Sequence, residues 1–380
     1  MNVPKLRFKE FTDEWQKKTL KSVSSYFKSG KSIKSNDILK NAPYPVYGGN
    51  GLRGYTNTFN FDGNASLIGR QGALCGNVTY VKGKNYMTEH AVIVQSNYAN
   101  YNKFLFYILL SMNLNQYSTQ SAQPGLSVNN LLELFNYFPN IQEQEKIAKF
   151  LTIVDKKITN LENTITSLED QKKGFLQQIF SQKLRFKDKN GNNYPNWEKK
   201  QLSEYVFIYD GTHQTPKYTN GGIKFVSVEN INNLSGTNKF ISEKDFLKEF
   251  KNIPEKNDIL MTRIGDVGTA TLITQNEPLA YYVSLALFKQ KKSIHMPFLL
   301  HYISTIYFQH ELWKRTLHIA FPKKINKNEI GKCNLLVPCL EEQTKIADFL
   351  SAFDRKLENQ KAQLEHWKQI KKGLLQQMFV

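Results

Sequence analysis

The chain has few cysteines and no long apolar run, and each shortage removes a class of protein. Cys75, Cys333 and Cys339 form no CxxC pair and are too few for a disulfide framework. They read as core filler in a reduced, cytoplasmic setting. The N-terminus lacks the apolar stretch of a signal peptide. No window approaches the roughly 20 apolar residues that a bilayer crossing needs. The best stretch, residues 297–308, is broken by His301 and reads as a buried helix, so no membrane role is expected.

Motifs for chemistry are missing too. There is no GxxxxGK[ST] phosphate loop, no HExxH, and no Asn/Asp-Pro-Pro-aromatic motif of the kind an adenine methyltransferase needs. Gly49, Gly51 and Gly54 match the dinucleotide spacing GxGxxG, but Tyr55-Thr56-Asn57-Thr58 does not open a helix, so the match fails. The seven histidines are scattered, and no acidic cluster with lysine suggests a metal-dependent nuclease. No catalytic residue, metal site or cofactor site is expected in this chain.

What is abundant is positive charge. The 380 residues hold 51 Lys and Arg against 33 Asp and Glu, a formal net charge of +18. Such an excess points to a polyanion, either nucleic acid or an anionic membrane, with a merely basic soluble protein as the plain alternative. The excess is unevenly placed. Residues 1–140 hold 15 basic against 7 acidic side chains and residues 184–338 hold 22 against 14, whereas 141–183 and 339–380 each hold 7 against 6. The polyanion contacts are therefore expected on two segments and not on the two near-neutral ones.

Those near-neutral segments repeat one another. At an offset of 199, residues 142–180 fall on 341–379 with 17 of 39 positions identical. Glu143-Gln144, Lys146-Ile147-Ala148, Phe150-Leu151 and Asp155 return as Glu342-Gln343, Lys345-Ile346-Ala347, Phe349-Leu350 and Asp354. Pro139 and Pro338 precede them. A second repeat opens each half: Leu6-Arg7-Phe8, Trp15 and Leu20 return as Leu184-Arg185-Phe186, Trp197 and Leu202. Between these ends the halves do not align, and the second is about 17 residues longer.

The repeated segments carry an a/d seam. It runs through Ile147, Leu151, Val154, Ile158, Leu161, Ile165 and Leu168 in the first, and Ile346, Leu350, Phe353, Leu357, Leu364 and Trp367 in the second. Lys172 and Lys371 interrupt both at the same point. Each helix would run nearly 60 Å at about 1.5 Å per residue. An antiparallel pair of these helices, acting as a rigid spacer, is the expected arrangement; packing of each helix on its own domain is the alternative.

The middles mix strand and helix signals. Residues 66–70, 77–81, 91–94, 223–228, 258–263 and 269–273 read as strands, and 104–112 and 297–313 as helices. The class is α+β. Polar and basic loops there could touch DNA: Asn50, Arg53 and Tyr55 in a glycine-rich loop, Arg70 and Gln71, and Gln120 and Gln123. In the second middle they are Thr212, His213, Gln214 and Lys217, then Arg263, Lys323 and Lys324. Arg can grip guanine, and Gln or Asn adenine, in bidentate fashion. A solvated turn is the plain reading of any one of them.

The two motifs, each present twice, resemble the specificity subunit of Type I restriction–modification enzymes, over essentially the whole chain. The carriers are Leu-Arg-Phe…Trp…Leu, the Pro-x-x-x-x-Glu-Gln-x-Lys-Ile-Ala-x-Phe-Leu segments from Pro139 and Pro338, and the closing Lys-Lys-Gly at Lys172 and Lys371. The resemblance implies two non-identical target-recognition domains, 1–140 and 184–338, separated by conserved helices at 141–183 and 339–380. Each domain would read one half of a bipartite asymmetric site in double-stranded DNA, and the helices would set the spacing. Two methyltransferase subunits would dock and supply S-adenosylmethionine; restriction (translocase/endonuclease) subunits would bring ATP and Mg2+. Two other classes compete: a non-catalytic coiled-coil scaffold, and a stand-alone nuclease or methyltransferase with built-in specificity.

Overall fold

The computed structural model describes residues 2–72, 74–118 and 124–380, and it divides into two compact units. The first comprises residues 1–163 and 361–380, the second 164–360. Both boundaries fall inside long helices. The central helix, Ile141–Phe180, begins in the first unit and ends in the second; the C-terminal helix, Leu340–Gln377, does the reverse.

The first unit is built on a four-stranded antiparallel sheet in the spatial order Ser24–Ser29, Ala91–Ser96, Ala65–Gly69, Val78–Val81. Its inner strand Ala65–Gly69 is buried along its whole length, which explains an apolar run without alternation. A second sheet orders Gly51–Thr56, Tyr44–Gly48, Lys84–Met87 and Phe61–Asp62, with one parallel pair, Tyr44–Gly48 beside Lys84–Met87. A two-stranded ladder joins Gln16–Thr19 to Phe135–Phe138, and helix Asn102–Ser111 covers the first sheet.

The second unit repeats this plan. Its larger antiparallel sheet runs Val206–Asp210, Leu285–Gln290, Ile259–Thr262, Ala270–Leu272. Its smaller sheet again contains one parallel pair, Ile223–Val226 beside Leu279–Tyr281, with Phe240–Ile241 and Tyr218–Thr219. The ladder is Glu198–Gln201 with Asn334–Val337. The single helix expected at 297–313 is two, Met296–Ile303 and Ile306–Arg315; Ser304 closes the first, and Thr305 caps the second by accepting from the Phe308 N–H at 3.3 Å. Two middles that do not align in sequence thus share the strand order of the larger sheet and three strands of the smaller one, whose fourth strand, Phe61–Asp62 or Tyr218–Thr219, lies on opposite edges.

The repeated motifs are the joints of this plan. In the first unit the Glu143 carboxylate, fully buried, accepts two hydrogen bonds from Arg7, both 2.8 Å, and one from the Trp15 indole at 3.3 Å. In the second, fully buried Glu342 accepts from Arg185 at 3.0 and 2.6 Å and from Trp197 at 3.0 Å. A buried carboxylate is tolerated because a bidentate guanidinium compensates it, and Glu143 in turn raises the Arg7 pKa. The neighbouring glutamines tie backbone to backbone. Gln144 donates to the Pro139 carbonyl and accepts the Tyr101 N–H at the start of helix Asn102–Ser111; Gln343 does the same with Pro338 and His295. Even the link from helix end to the Leu-Arg-Phe motif repeats: Leu6 N–H to the Gln377 carbonyl at 2.8 Å, Leu184 N–H to the Gln178 carbonyl at 3.0 Å.

The helices pair antiparallel within each unit. Asp155 meets Lys371 at 2.7 Å and Glu162 meets Lys368 at 3.0 Å in the first; Lys172 meets Asp354, and Phe175 packs on Phe349 and Phe353, in the second. The lysines that interrupt the seam are therefore a reciprocal pair of cross-helix ion pairs. Helix ends also complete the domain cores. Ile147, Ala148 and Leu151 pack with Trp15, Phe104, Met378 and Phe379; Ile346, Ala347 and Leu350 pack with Ile179, Phe180, Trp197 and Phe298. The two packings weighed from the sequence, helix on helix and helix on domain, therefore both occur. No helix among the described residues is long and apolar enough to cross a membrane.

Candidate nucleic-acid interface

In both units the same three segments meet at one end of the larger sheet. The first follows the first strand of the sheet. Gly30 after Ser29, and Gly211 after Asp210, pass so close to a neighbouring chain that an added Cβ would lie 2.1 Å from the Met87 carbonyl oxygen and 2.3 Å from that of Tyr281. Only glycine fits there. The next residues, Lys31 and Thr212, donate their N–H to those same carbonyls. The second segment is the turn after the buried inner strand, Arg70-Gln71-Gly72 and Arg263-Ile264-Gly265. The third is the return loop. Gly72 N–H donates to Pro124 and Gly265 N–H to Lys323; Leu126 N–H donates to Arg70 and Ile325 N–H to Arg263.

This arrangement gathers most of the residues singled out in the sequence. Arg70, Gln71, Thr212, His213, Gln214, Arg263, Lys323 and Lys324 fall on these segments, and Lys217 lies further along the first of them in the second unit. Gln71, His213, Gln214, Lys217, Lys323 and Lys324 are exposed, Arg70 and Thr212 are half-buried, and Arg263 is buried. Gln120 and Gln123 lie outside the described residues. The glycine-rich stretch read as a loop is mostly a hairpin: Tyr44–Gly48 and Gly51–Thr56 are paired strands, and Gly49-Asn50 is the turn. Its tip belongs to the site, because the Gly49 carbonyl packs where a Cβ on Gly69 would sit, at 2.0 Å. Asn50 and Arg53 are exposed there, and Tyr55 is half-buried with its backbone bonded to Leu39.

Arg263 corrects the sequence reading. It is 7% exposed, forms an ion pair with Asp210, and donates Nε to the Ile325 carbonyl at 3.0 Å. Its guanidinium clamps strand, turn and return loop together and does not face solvent. Arg70 occupies the equivalent place in the first unit but meets Ser29 where Arg263 meets an aspartate, donating Nη1 to the Ser29 hydroxyl at 3.1 Å. Its Nε is buried with no hydrogen-bond partner among the described residues. The first unit thus keeps a guanidinium that no carboxylate pairs with among the described residues.

Lys31 and Ser32, exposed beside Arg70, were not singled out from the sequence. The signal that could have found them is the strand-Gly sequence they share with Asp210-Gly211-Thr212-His213. Among the described residues no group of three or more His, Cys, Asp or Glu is placed to hold a metal.

The sequence and fold both have relatives. The family model described as Type I restriction modification DNA specificity domain matches twice, over residues 12–170 and 194–366. The specificity subunit of the Type I restriction enzyme EcoprrI from Escherichia coli is 43% identical over 167 residues, 43% of this chain and 40% of that protein. The MjaVIII specificity subunit of Methanocaldococcus jannaschii is 25% identical over 257 residues, 62% of this chain and 59% of that one. The matched stretches therefore span about half the length of these relatives. The S subunit of a Type I restriction-modification system from M. genitalium, 19% identical, shares the fold with a TM-score of 0.72 over 100% of this chain and 99% of that one. A chain from a structure of complex assembly in the type I R-M system, 15% identical, gives 0.54 over 95% and 96%. With one family match beginning in the Trp-bearing segment of each half and running into its long helix, the chain belongs to the Type I restriction modification DNA specificity family and carries its domain twice.

Proposed function

We propose that this chain is the DNA-reading specificity subunit of a Type I restriction–modification enzyme, each unit recognising one half of a bipartite asymmetric site in double-stranded DNA. The observation that carries this reading is the pairing of a repeated skeleton with unrepeated edges. The same larger sheet and the same Arg–Trp–Glu joint occur twice, while the three converging segments keep two glycines and an arginine in common and differ in their other side chains. Two unlike readers on like supports suit a site with two unlike halves. Contacts from basic segments to phosphate would dominate affinity, and groups such as Arg70, Gln71, Asn50, Thr212 and Gln214 would meet base edges.

The helix pair gives this reading its geometry. Two helices of 40 and 38 residues, each shared between both units, would translate helix length into base-pair spacing. Their solvent faces and the repeated motifs would dock two methyltransferase subunits. Adenine methylation, with its S-adenosylmethionine, would then belong to those partners, and ATP- and Mg2+-dependent restriction to further subunits in the cytoplasm.

The test is single-molecule methylome sequencing of cells that express this chain with its methyltransferase subunit. A new N6-methyladenine motif, split into two unequal halves, is the expected result. Two soluble, associated proteins that leave no new motif would contradict the reading and favour a scaffold that binds only protein.

A further inference from the structure

The return loop of the second unit ends in two apolar side chains that touch almost nothing. Ile319 is 103% exposed and Phe321 104%, as open as in an extended peptide. The loop that holds them is firmly based. Leu317 N–H donates to the Lys324 carbonyl at 2.8 Å, Lys324 bridges to Ile264, and Gly265 N–H donates to the Lys323 carbonyl. Behind the tip, His318 donates Nε2–H to the Trp313 carbonyl at 2.9 Å and packs its ring 5.0 Å from that of Trp313. With Leu317 and Trp313 also exposed at its base, the braced loop carries an apolar surface larger than a single stray side chain.

We infer that Phe321, with Ile319 beside it, is a wedge that enters the DNA stack at one base step of the half-site read by the second unit. The inference rests on the DNA-reading function proposed above. Charge selects the partner. Lys314 and Arg315 are both held by Glu311, at 3.5 and 3.0 Å, whereas Lys323 and Lys324, next to the tip, have no carboxylate partner among the described residues. Two such cations just behind an apolar point match the phosphate backbone beside an opened step. The shape agrees: Ile319 and Phe321 stand clear at the tip, beyond the partly covered Leu317 and Trp313 at its base, and a narrow apolar tip of this kind can enter between base pairs. Such a wedge reads deformability instead of base edges, and it favours a pyrimidine–purine step, which unstacks most easily. Arg263, locked to Asp210 inside the domain, leaves this unit without the arginine contact open to the first, and the wedge supplies recognition of another kind.

The experiment uses the full chain assembled with its methyltransferase subunits and a duplex carrying the methylated motif. 2-Aminopurine is placed in turn at each non-methylated position. The wild-type complex should raise fluorescence at one step, in the half-site that the second unit reads. Phe321→Ala should abolish that rise and weaken binding about tenfold, the scale of one lost base–aromatic stack, and Phe321→Trp should restore both. Because the ring is fully exposed, its removal should leave the melting temperature unchanged. Unchanged fluorescence and affinity in Phe321→Ala overturn the wedge. So does a Phe321→Ala chain that loses its methyltransferase subunit, which would make the tip a protein contact. A wild-type complex that binds no duplex and writes no motif overturns the DNA-reading function itself, a result separable from the others because it appears before any substitution.

Discussion

The two units differ least where they are most buried and most where the three segments converge. Arg7, Trp15, Glu143 and Gln144 are matched by Arg185, Trp197, Glu342 and Gln343, bond for bond. Ser29 faces Arg70, but Asp210 faces Arg263. One oxygen-bearing side chain at the end of a strand thus decides whether an arginine in the same backbone position stays chemically open or becomes an internal clamp. A similar exchange occurs under the helices. Tyr107 donates its hydroxyl to Asp155 at 2.7 Å in the first unit, and His301 stands near Asp354 at 3.9 Å in the second. The skeleton keeps the same joints in both units and varies around them.

Exchanging residues 21–133 for those of a relative with another specificity should sharpen this comparison most. One half of the methylated motif should change completely and the other not at all, as read by methylome sequencing; a change in both halves breaks the idea of independent readers. Next in size are Glu143→Ala and Glu342→Ala. Each leaves a half-buried guanidinium and a buried indole N–H without their carboxylate, and each should destabilise by about 1–3 kcal/mol in chemical denaturation. Equal losses support equivalent joints, and a large inequality breaks the symmetry. Arg70→Ala should cost about 1–3 kcal/mol of duplex affinity with little loss of stability, while Arg263→Ala should lower stability first. The opposite ranking would reverse the roles assigned to the two arginines.

The smallest effect is a pH slope. Burial, aided by nearby Lys172 and opposed by Asp354, pushes the His301 imidazole down from 6.5 to about 4. The unfolded chain therefore binds more protons than the folded one between those values, so stability should fall as pH drops from about 6.5 to 4. The slope is at most about 1.4 kcal/mol per pH unit for one proton. His301→Tyr, which copies the first unit, should flatten it in thermal melts taken across that range; an unchanged slope would place the titration elsewhere.

Much of this was legible in the sequence because the joints repeat at a fixed offset and the helix seam keeps its period. Every seam position from Ile147 to Trp367 is at least half-buried, and the antiparallel pairing follows from two unpaired seams. The shared strand order of the two larger sheets was not legible, since a strand can be rebuilt from many apolar sequences and leaves no residue-by-residue match. Arg263 was misread for a related reason. A basic residue at a strand end looks the same in sequence whether it faces solvent or an aspartate 53 positions away. Pro297, early in an apolar run, suited one helix start, but the second start at Thr305 was hidden within the run.

The division of the long helices also bears on the order in which the protein can finish itself. The second unit is drawn from one continuous stretch, residues 164–360, whereas the first needs residues 361–380 to close over Trp15 and Phe104. Domains fold as they leave the ribosome, usually the earlier first. Here the earlier one must wait. Until Leu374, Met378 and Phe379 emerge, its apolar floor stays open, so the unit begun first is the last to be completed.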